Sequence, residues 1–297
     1  MQDANGNYDG GWLDDGGHVA IAATLPRFAS LMRQACLAPS PAAPSAPILL
    51  YEAWKDVLGK YPDYPAQQIG DCVSFGHAHA NDLLQCIEIA LGEPSEFRET
   101  DTEFIYGESR KVSHNLTMFD GSYGAAAVKA MTQVGVVSRE MLGSDGAYSG
   151  SRAKSWGWHG PPADVEAKAA PYKLGAVSRI DTWDELYAAI SNGLPVTICS
   201  NWGFATPRDA QGFCNARGTW AHCMMIAGMR FDREGACVCQ SWGPSQPSGP
   251  LALDQPSFSF WADRKYIEKI LAQGDSWALM KSPDFVHRTV PKNWRLA

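Results

Sequence analysis

The stretch Gln67-Gln-Ile-Gly-Asp-Cys-Val-Ser-Phe75 decides the fold, because it places a cysteine at the start of a predicted helix. Asp71 is a good N-cap residue, and apolar residues recur at helical spacing from Val73 until Gly92 provides a natural stop. Unpaired backbone N–H groups and the positive end of the helix dipole both stabilise an anion at a helix N-terminus. The stretch therefore favours Cys72 as a nucleophilic thiolate.

A nucleophilic cysteine also needs a base and a polar group that orients the base. His222 lies in the apolar stretch Trp-Ala-His-Cys-Met-Met-Ile-Ala-Gly, 150 residues after Cys72, and Gln240 begins a Gln-Ser-Trp-Gly sequence 18 residues further on. An imidazole exchanges protons near neutral pH, and a carboxamide oxygen can accept its N–H group. The ordered set predicts nucleophilic catalysis by Cys72 with His222 and Gln240.

The composition is that of a packed globular protein, with 297 residues of which 45% are hydrophobic and 19% are charged. The formal net charge of −7 disfavours a nucleic-acid partner. The best apolar run, Val19 to Leu25, is far shorter than the roughly 20 residues of a membrane-spanning helix, so no membrane partner is expected. The N-terminus lacks the basic and apolar blocks of an export signal, which predicts a cytoplasmic or virion-associated protein.

Eight cysteines are scattered along the chain without a Cys-x-x-Cys pair. If Cys72 is a nucleophile, an odd number remains, and these cannot all pair within one chain. We therefore expect reduced, buried thiols and a reducing compartment. Cys237 and Cys239 share one face of a predicted strand but supply at most half of a zinc site, so neither a metal nor another cofactor is expected.

Helical and extended patterns divide the chain into three parts and predict an α+β fold. Residues 1–47 form an N-terminal arm with a helix over Ile21–Leu37 and a Pro-rich linker over Pro39–Pro47. Residues 48–170 predict a helical domain that carries the nucleophile, and residues 171–297 predict a β-rich domain that carries the His and the Gln. The expected helices cover 48–58, 71–91, 102–111, 122–134 and 182–192, and the expected strands cover 174–180, 195–200, 220–231, 236–242, 258–261 and 276–281.

Five short motifs, taken together and in this order, resemble those of the papain-like cysteine peptidases. They are Gln67–Phe75, the turn Asp120-Gly-Ser-Tyr-Gly124, Leu194-Pro-Val196, His222–Gly228 and Ser241-Trp-Gly243. The resemblance covers residues 65 to 281, and the Cys-to-His offset is close to the one expected of this family. It implies a papain-like α+β fold in which a helical left domain faces a β-sheet right domain, with the active-site cleft between them.

The resemblance implies a role for each member of the catalytic set. Cys72 would be the nucleophile and His222 its proton partner, in a thiolate–imidazolium pair. Gln240 stands where the family usually has an Asn, and its extra methylene moves the carboxamide by about 1.5 Å, a displacement that can cost about 100-fold in rate. Trp242 would cover the hydrogen bond between the imidazole and this carboxamide.

The resemblance also implies an oxyanion hole and a substrate-binding turn. The family places a Gln side chain six residues before the cysteine, where this chain has Ala66. We expect Gln67, or alternatively Gln68, to supply this donor, because a loop shorter by one residue brings Gln67 into position. Gly121 and Ser122 would offer backbone hydrogen bonds to an extended substrate, although Ser122 also suits a plain helix N-cap.

Asp71 is a departure from the family, which usually has a small neutral residue before the nucleophile. Its carboxylate is expected to cap the helix and, at the same time, to oppose a neighbouring thiolate. One pKa unit of such opposition corresponds to about 1.4 kcal/mol.

The resulting hypothesis is a divergent papain-like cysteine hydrolase that cleaves peptide or isopeptide bonds in a peptide or protein substrate, through a thioester on Cys72. The departures at Gln240 and Asp71 keep open a weakly active or inactive scaffold that serves as a structural component of a phage virion or another assembly. A cell-wall peptide endopeptidase is a third hypothesis. Residues 1–47 are interpreted either as an inhibitory pro-segment or as an arm that binds an assembly partner.

Overall fold

The computed structural model describes residues 10–34, 46–281 and 290–295, and all structural statements below concern these residues. Helices dominate the part of the chain before residue 170. The α-helices of this part are α1 (Gly17–Ala22), α2 (Phe28–Gln34), α3 (Glu52–Leu58), α4 (Cys72–Ala90), α5 (Thr102–Val112), α6 (Gly124–Gln133), α7 (Gly150–His159) and α8 (Ala163–Ala169), and two more, α9 (Trp183–Ser191) and α10 (Arg264–Leu271), lie among the later strands. Two 3₁₀ helices cover Arg139–Asp145 and Lys292–Trp294. None of the described helices is both long enough and apolar enough to span a membrane.

Strands dominate the remainder and form one antiparallel sheet. They are β1 (Ile48–Leu49), β2 (Ala176–Arg179), β3 (Val196–Phe204), β4 (Ala216–Arg230), β5 (Gly235–Cys239), β6 (Ser259–Asp263) and β7 (Ser276–Met280). The spatial order is β2-β7-β3-β4-β5-β6, and β1 pairs with β4. The central strand β4 pairs with β3 so that His222 lies opposite Ser200. The mixed helical and antiparallel architecture confirms the predicted α+β class.

Helix α4 packs directly against the sheet and fixes the position of the candidate nucleophile. A Cβ atom at Gly76 would lie 3.0 Å from Sγ of Cys223 and 3.3 Å from the carbonyl oxygen of Met224, both on β4. The absence of a side chain at Gly76 therefore lets the helix approach the strand closely. Leu83 and Ile87, further along the helix, are fully buried in the same hydrophobic core as β4.

Three local predictions need correction. The helix expected over Ile21–Leu37 is divided into α1 and α2, because the segment between them contains Pro26, which cannot continue a helix. The segment expected as a helix from residue 48 begins as strand β1, since Ile48 pairs with Met229 on β4. Helix α10 was not predicted, although it directly follows the expected strand β6.

The predicted boundaries of the three parts stay predictions. Strand β1 belongs to the sheet, although it lies at the start of the part expected to be helical. Most of the linker expected over Pro39–Pro47 lies outside the described residues.

Candidate active site

Cys72 is the first residue of α4 and points toward strand β4. Its side chain is fully buried, and its Sγ lies 4.0 Å from the carbonyl oxygen of Ala221, the residue before His222. The start of α4 and strand β4 thus bring Cys72 next to the residue that precedes His222, 149 positions further along the chain. All seven described cysteines are free thiols, and Cys36 lies outside the described residues.

His222 is buried on β4 beneath two tryptophan side chains. Its ring stacks on Trp242, with 5.1 Å between the ring centroids and 24° between the planes. Trp220 packs against Trp242 in turn, at 4.6 Å between centroids. Trp242 therefore covers one face of the imidazole.

Gln240 follows β5 and lies beside His222. Its Nε2 donates to the carbonyl oxygen of Gln246 at 2.9 Å, which fixes the orientation of the carboxamide. Burial lowers the pKa of His222 to about 3, and the neighbouring Gln240 carboxamide opposes this change only in part. The imidazole is consequently neutral at physiological pH in this conformation.

Burial also disfavours the charged form of Cys72. It raises the pKa of the Cys72 thiol well above its ordinary value, and the neighbouring Cys223 and Asp71 add smaller effects in that direction. A neutral thiol at Cys72 and a neutral imidazole at His222 differ from the expected thiolate–imidazolium pair. The physical reason is that burial removes both groups from water, and the cost of charging them there outweighs the stabilisation that the helix dipole gives to a thiolate.

Asp71 occupies the N-cap position, but its side chain makes no capping hydrogen bond, which corrects the prediction. The carboxyl group instead accepts a hydrogen bond from the Tyr148 hydroxyl at 2.8 Å. Burial raises the pKa of Asp71 to about 8, although the bond from Tyr148 lowers it. At neutral pH most of the Asp71 side chains are therefore protonated, and their opposition to a thiolate at Cys72 is weaker than predicted. No sequence pattern pointed to Tyr148, which lies 77 positions from Asp71.

The two candidate oxyanion donors lie in different environments. Gln67 is partly buried, its Oε1 accepts a hydrogen bond from the Ser241 hydroxyl, and its Nε2 donates to the carbonyl oxygen of Ile69 at 2.8 Å. Gln68 is exposed, and its Oε1 accepts a hydrogen bond from the backbone N–H of Gly150 at 3.1 Å. Of the two, Gln67 is the one held against the Ser-Trp-Gly motif.

The turn at Gly121 and Ser122 is held by two buried side chains that sequence reasoning missed. Arg110 donates to the carbonyl oxygen of Gly121 at 2.8 Å, and the N–H of Gly121 donates to the Tyr106 hydroxyl at 3.0 Å. Gly121 has φ +115°, a conformation that favours glycine. The backbone N–H and carbonyl groups of Gly121 are therefore bonded to Tyr106 and Arg110, whereas those of Ser122 are bonded to a different segment of the chain.

The partner of Ser122 is the N-terminal segment of the same chain. The N–H of Ser122 donates to the carbonyl oxygen of Gly11 at 2.8 Å, and the N–H of Leu13 donates to the carbonyl oxygen of Ser122 at 3.0 Å. Between them, the N–H of Trp12 donates at 3.0 Å to the carbonyl oxygen of Ala221, which also lies 4.0 Å from Cys72 Sγ. We call Gly10–Leu13 the strap, because these residues lie across the candidate site.

Asp275 anchors the strap and was not identified from the sequence. Its fully buried carboxylate accepts hydrogen bonds from the indole N–H of Trp12 at 2.9 Å and of Trp277 at 2.7 Å. It also accepts the backbone N–H groups of Gly124 and Ala125, at the start of α6, at 2.8 and 2.7 Å. A single carboxylate thus caps a helix and binds the strap. Within the described ranges, no group of three His, Cys, Asp or Glu side chains is placed to hold a metal ion.

Solved structures of cysteine proteases share this architecture. Xylellain, a cysteine protease from Xylella fastidiosa, is 17% identical, with a TM-score of 0.61 over 94% of this chain and 97% of that chain. Procathepsin B S9 from Trypanosoma congolense is 9% identical, with a TM-score of 0.55 over 92% of this chain and 86% of that chain. Digestive procathepsin L 3 from the larval midgut of Tenebrio molitor is 12% identical, with a TM-score of 0.53 over 82% of this chain and 72% of that chain.

At these identities the likeness concerns the fold, which is papain-like, as the motifs predicted. Neither a protein-family model nor a curated protein sequence matches the chain.

Proposed function

We propose that the chain is a cysteine hydrolase that cleaves peptide or isopeptide bonds through a thioester on Cys72. The observation that carries this proposal is the convergence at one point of the α4 N-terminus and the β4 strand, which holds Cys72 Sγ 4.0 Å from the residue before His222. The stacked Trp242 and the fixed carboxamide of Gln240 support His222 as the group that exchanges protons. The papain-like fold, shared with known cysteine proteases, gives independent support.

In the proposed reaction, His222 takes the proton of the Cys72 thiol, and the thiolate attacks the carbonyl carbon of the substrate. The C–N bond then breaks, and the leaving amine takes the proton from His222. A water molecule, deprotonated by His222, hydrolyses the thioester and releases the acid. The backbone N–H of Cys72 and the Nε2 of Gln67 would stabilise the oxyanion, after Nε2 leaves the carbonyl oxygen of Ile69.

The proposal is tested by cleavage of a fluorogenic peptide library, with the protein as purified and with the strap displaced by Gly11→Ala. Cys72→Ala is expected to abolish cleavage. Cys86→Ala, which removes another buried thiol from the same helix, is the matched control and is expected to retain it. Absence of cleavage in every variant between pH 4 and 9 would contradict the proposal.

His222→Ala should reduce cleavage by at least about 1000-fold, because it removes the base. The structural-component and cell-wall hypotheses stay predictions, since neither the described residues nor the comparisons favour them.

A further inference from the structure

The strap contacts the loops that surround Cys72 on several sides. The carbonyl oxygen of Gly10 lies 3.4 Å from Nε2 of Gln67, the candidate oxyanion donor. Gly11 packs against Gly70, so closely that a Cβ atom at Gly11 would lie 2.0 Å from the carbonyl oxygen of Gly70. Together with the hydrogen bonds to Ser122 and Ala221, these contacts place the strap over the surface beside Cys72 where a substrate of the proposed reaction must bind.

The strap requires glycine at position 11 for two separate reasons. Its φ of +106° is unfavourable for any residue with a side chain, and no space exists for a Cβ atom. Gly16, five residues later, also has a positive φ of +79°, but nothing lies within 4 Å of a Cβ atom there. Gly11 and Gly16 therefore form a matched pair: both have a positive φ, but only Gly11 packs tightly against a neighbouring loop.

The side chain of Trp12 fills a buried pocket that ends at the carboxyl group of Asp275. Only 2% of Trp12 is exposed, and its indole N–H reaches a carboxylate, Asp275, that is itself fully buried. Gly124 adjoins this site, because a Cβ atom there would lie 2.9 Å from Oδ1 of Asp275 and 2.8 Å from Sγ of Cys199. The Trp12 pocket thus accommodates a flat apolar ring whose far edge carries one hydrogen-bond donor.

We infer that the pocket of Trp12, with Asp275 at its end, selects a tryptophan side chain in the peptides that bind when the strap is displaced. The reading of such peptides as substrates rests on the proposed function, whereas their binding does not. Removal of the indole leaves a lone pair of Asp275 buried and without its donor, and this loss penalises ligands that lack an N–H group at that point.

The pKa shifts of Cys72 and His222 agree with a site that the strap shields from water. Burial raises the pKa of Cys72 and lowers that of His222, so both groups are neutral while the strap is bound. Displacement of the strap admits water, which solvates charged forms and favours the reactive thiolate.

The first part of the test compares alkylation of Cys72 by iodoacetamide, followed by peptide mass spectrometry, in three full-length proteins. Gly11→Ala is expected to accelerate labelling at least about tenfold over the wild type, because the strap no longer fits. Gly16→Ala is expected to label at the wild-type rate. If Gly11→Ala labels as slowly as the wild type while it stays folded, the strap does not close the site.

The second part measures how peptides protect Cys72 in the full-length Gly11→Ala protein. The peptide Asp-Gly-Gly-Trp-Leu-Asp-Asp-Gly, copied from residues 9–16, is expected to slow labelling. The same peptide with benzothienylalanine, an isostere in which sulfur replaces the indole N–H, is expected to bind about 10- to 100-fold more weakly. Equal protection by the two peptides, or stronger protection by a peptide with Arg or Phe at that position, would overturn the inferred selectivity.

A third variant separates the role of the pocket from that of the strap. Asp275→Asn, combined with Gly11→Ala and checked for folding by circular dichroism, is expected to bind the two peptides with affinities that differ less than threefold. Peptide cleavage is scored separately: selective protection without any cleavage contradicts the proposed function alone, and cleavage without selectivity contradicts this inference alone.

Discussion

Asp71 and Asp275 are two fully buried carboxyl groups near the candidate site, and their surroundings are opposite. Asp275 accepts four hydrogen bonds from N–H donors, which together replace the water that a carboxylate loses on burial. Asp71 accepts one from Tyr148, and its Oδ1 has no partner in another described residue. The pKa of Asp71 accordingly rises to about 8. Equal burial therefore goes with very different bonding: four N–H donors reach Asp275, and one hydroxyl donor reaches Asp71.

The largest effect expected at pH 7 comes from removal of the well-bonded carboxylate. Asp275→Ala leaves four buried N–H groups without their acceptor, and we expect the free energy of unfolding to fall by about 3 kcal/mol or more. Asp71→Ala removes a poorly bonded group and should cost about 1 kcal/mol or less. Urea unfolding of both variants at pH 7 measures the contrast, and equal losses would remove the distinction between the two residues.

A pH-dependent difference is expected for Asp71→Asn. Because the folded-state pKa of Asp71 lies above the unfolded value of 3.8, the folded protein holds this proton more tightly between about pH 4 and 8. The wild type should therefore lose stability relative to Asp71→Asn as the pH rises through this window, by at most about 1.4 kcal/mol per pH unit. Urea unfolding at intervals of one pH unit tests this, and a difference that is constant from pH 4 to 8 would show that Asp71 is ionised throughout.

Trp12→Phe withdraws one of the four donors from Asp275 but keeps an aromatic ring in the pocket. We expect the free energy of unfolding to decrease by about 1–2 kcal/mol. Trp158→Phe is the control, because Trp158 is 48% exposed and should be neutral. Thermal unfolding followed by circular dichroism suffices, and a neutral Trp12→Phe would mean that the indole N–H contributes nothing to the anchor.

Tyr148→Phe should have the smallest effect, because it retains the edge-on contact with Phe75 and removes only a hydroxyl. The bond from Tyr148 lowers the pKa of Asp71, so its loss should raise this pKa further. An NMR titration of the Asp71 carboxyl carbon measures the change. Tyr172→Phe, at an exposed tyrosine, should leave the titration unchanged, and an unchanged value in both variants would contradict the role given to Tyr148.

The sequence predicted those parts of the molecule that carry a local pattern. The helix that begins at Cys72, the β4 stretch around His222 and the Ser-Trp-Gly motif each have a recognisable periodicity or order, and their order predicted the papain-like fold. Their assignment to catalysis stays a prediction that the biochemical tests address.

The parts that escaped prediction depend on contacts between distant segments. Asp275 gave no signal, because its four donors come from three separate parts of the chain. Asp71 suggested a cap, whereas a tyrosine hydroxyl from elsewhere determines its bonding. The arm over residues 1–47 was open between a pro-segment and an assembly arm, because no local pattern says where Gly11 and Trp12 bind.

The glycine at position 76 has a mechanical consequence. Because an added Cβ atom at Gly76 would lie only 3.0 Å from Sγ of Cys223, α4 is packed tightly on β4 near the candidate nucleophile. A hinge between the helical and β-rich halves at this point would have to break this packing. We therefore expect that access to Cys72 depends on displacement of the four-residue strap from this packed frame, and that the energy of this displacement sets how readily the site opens.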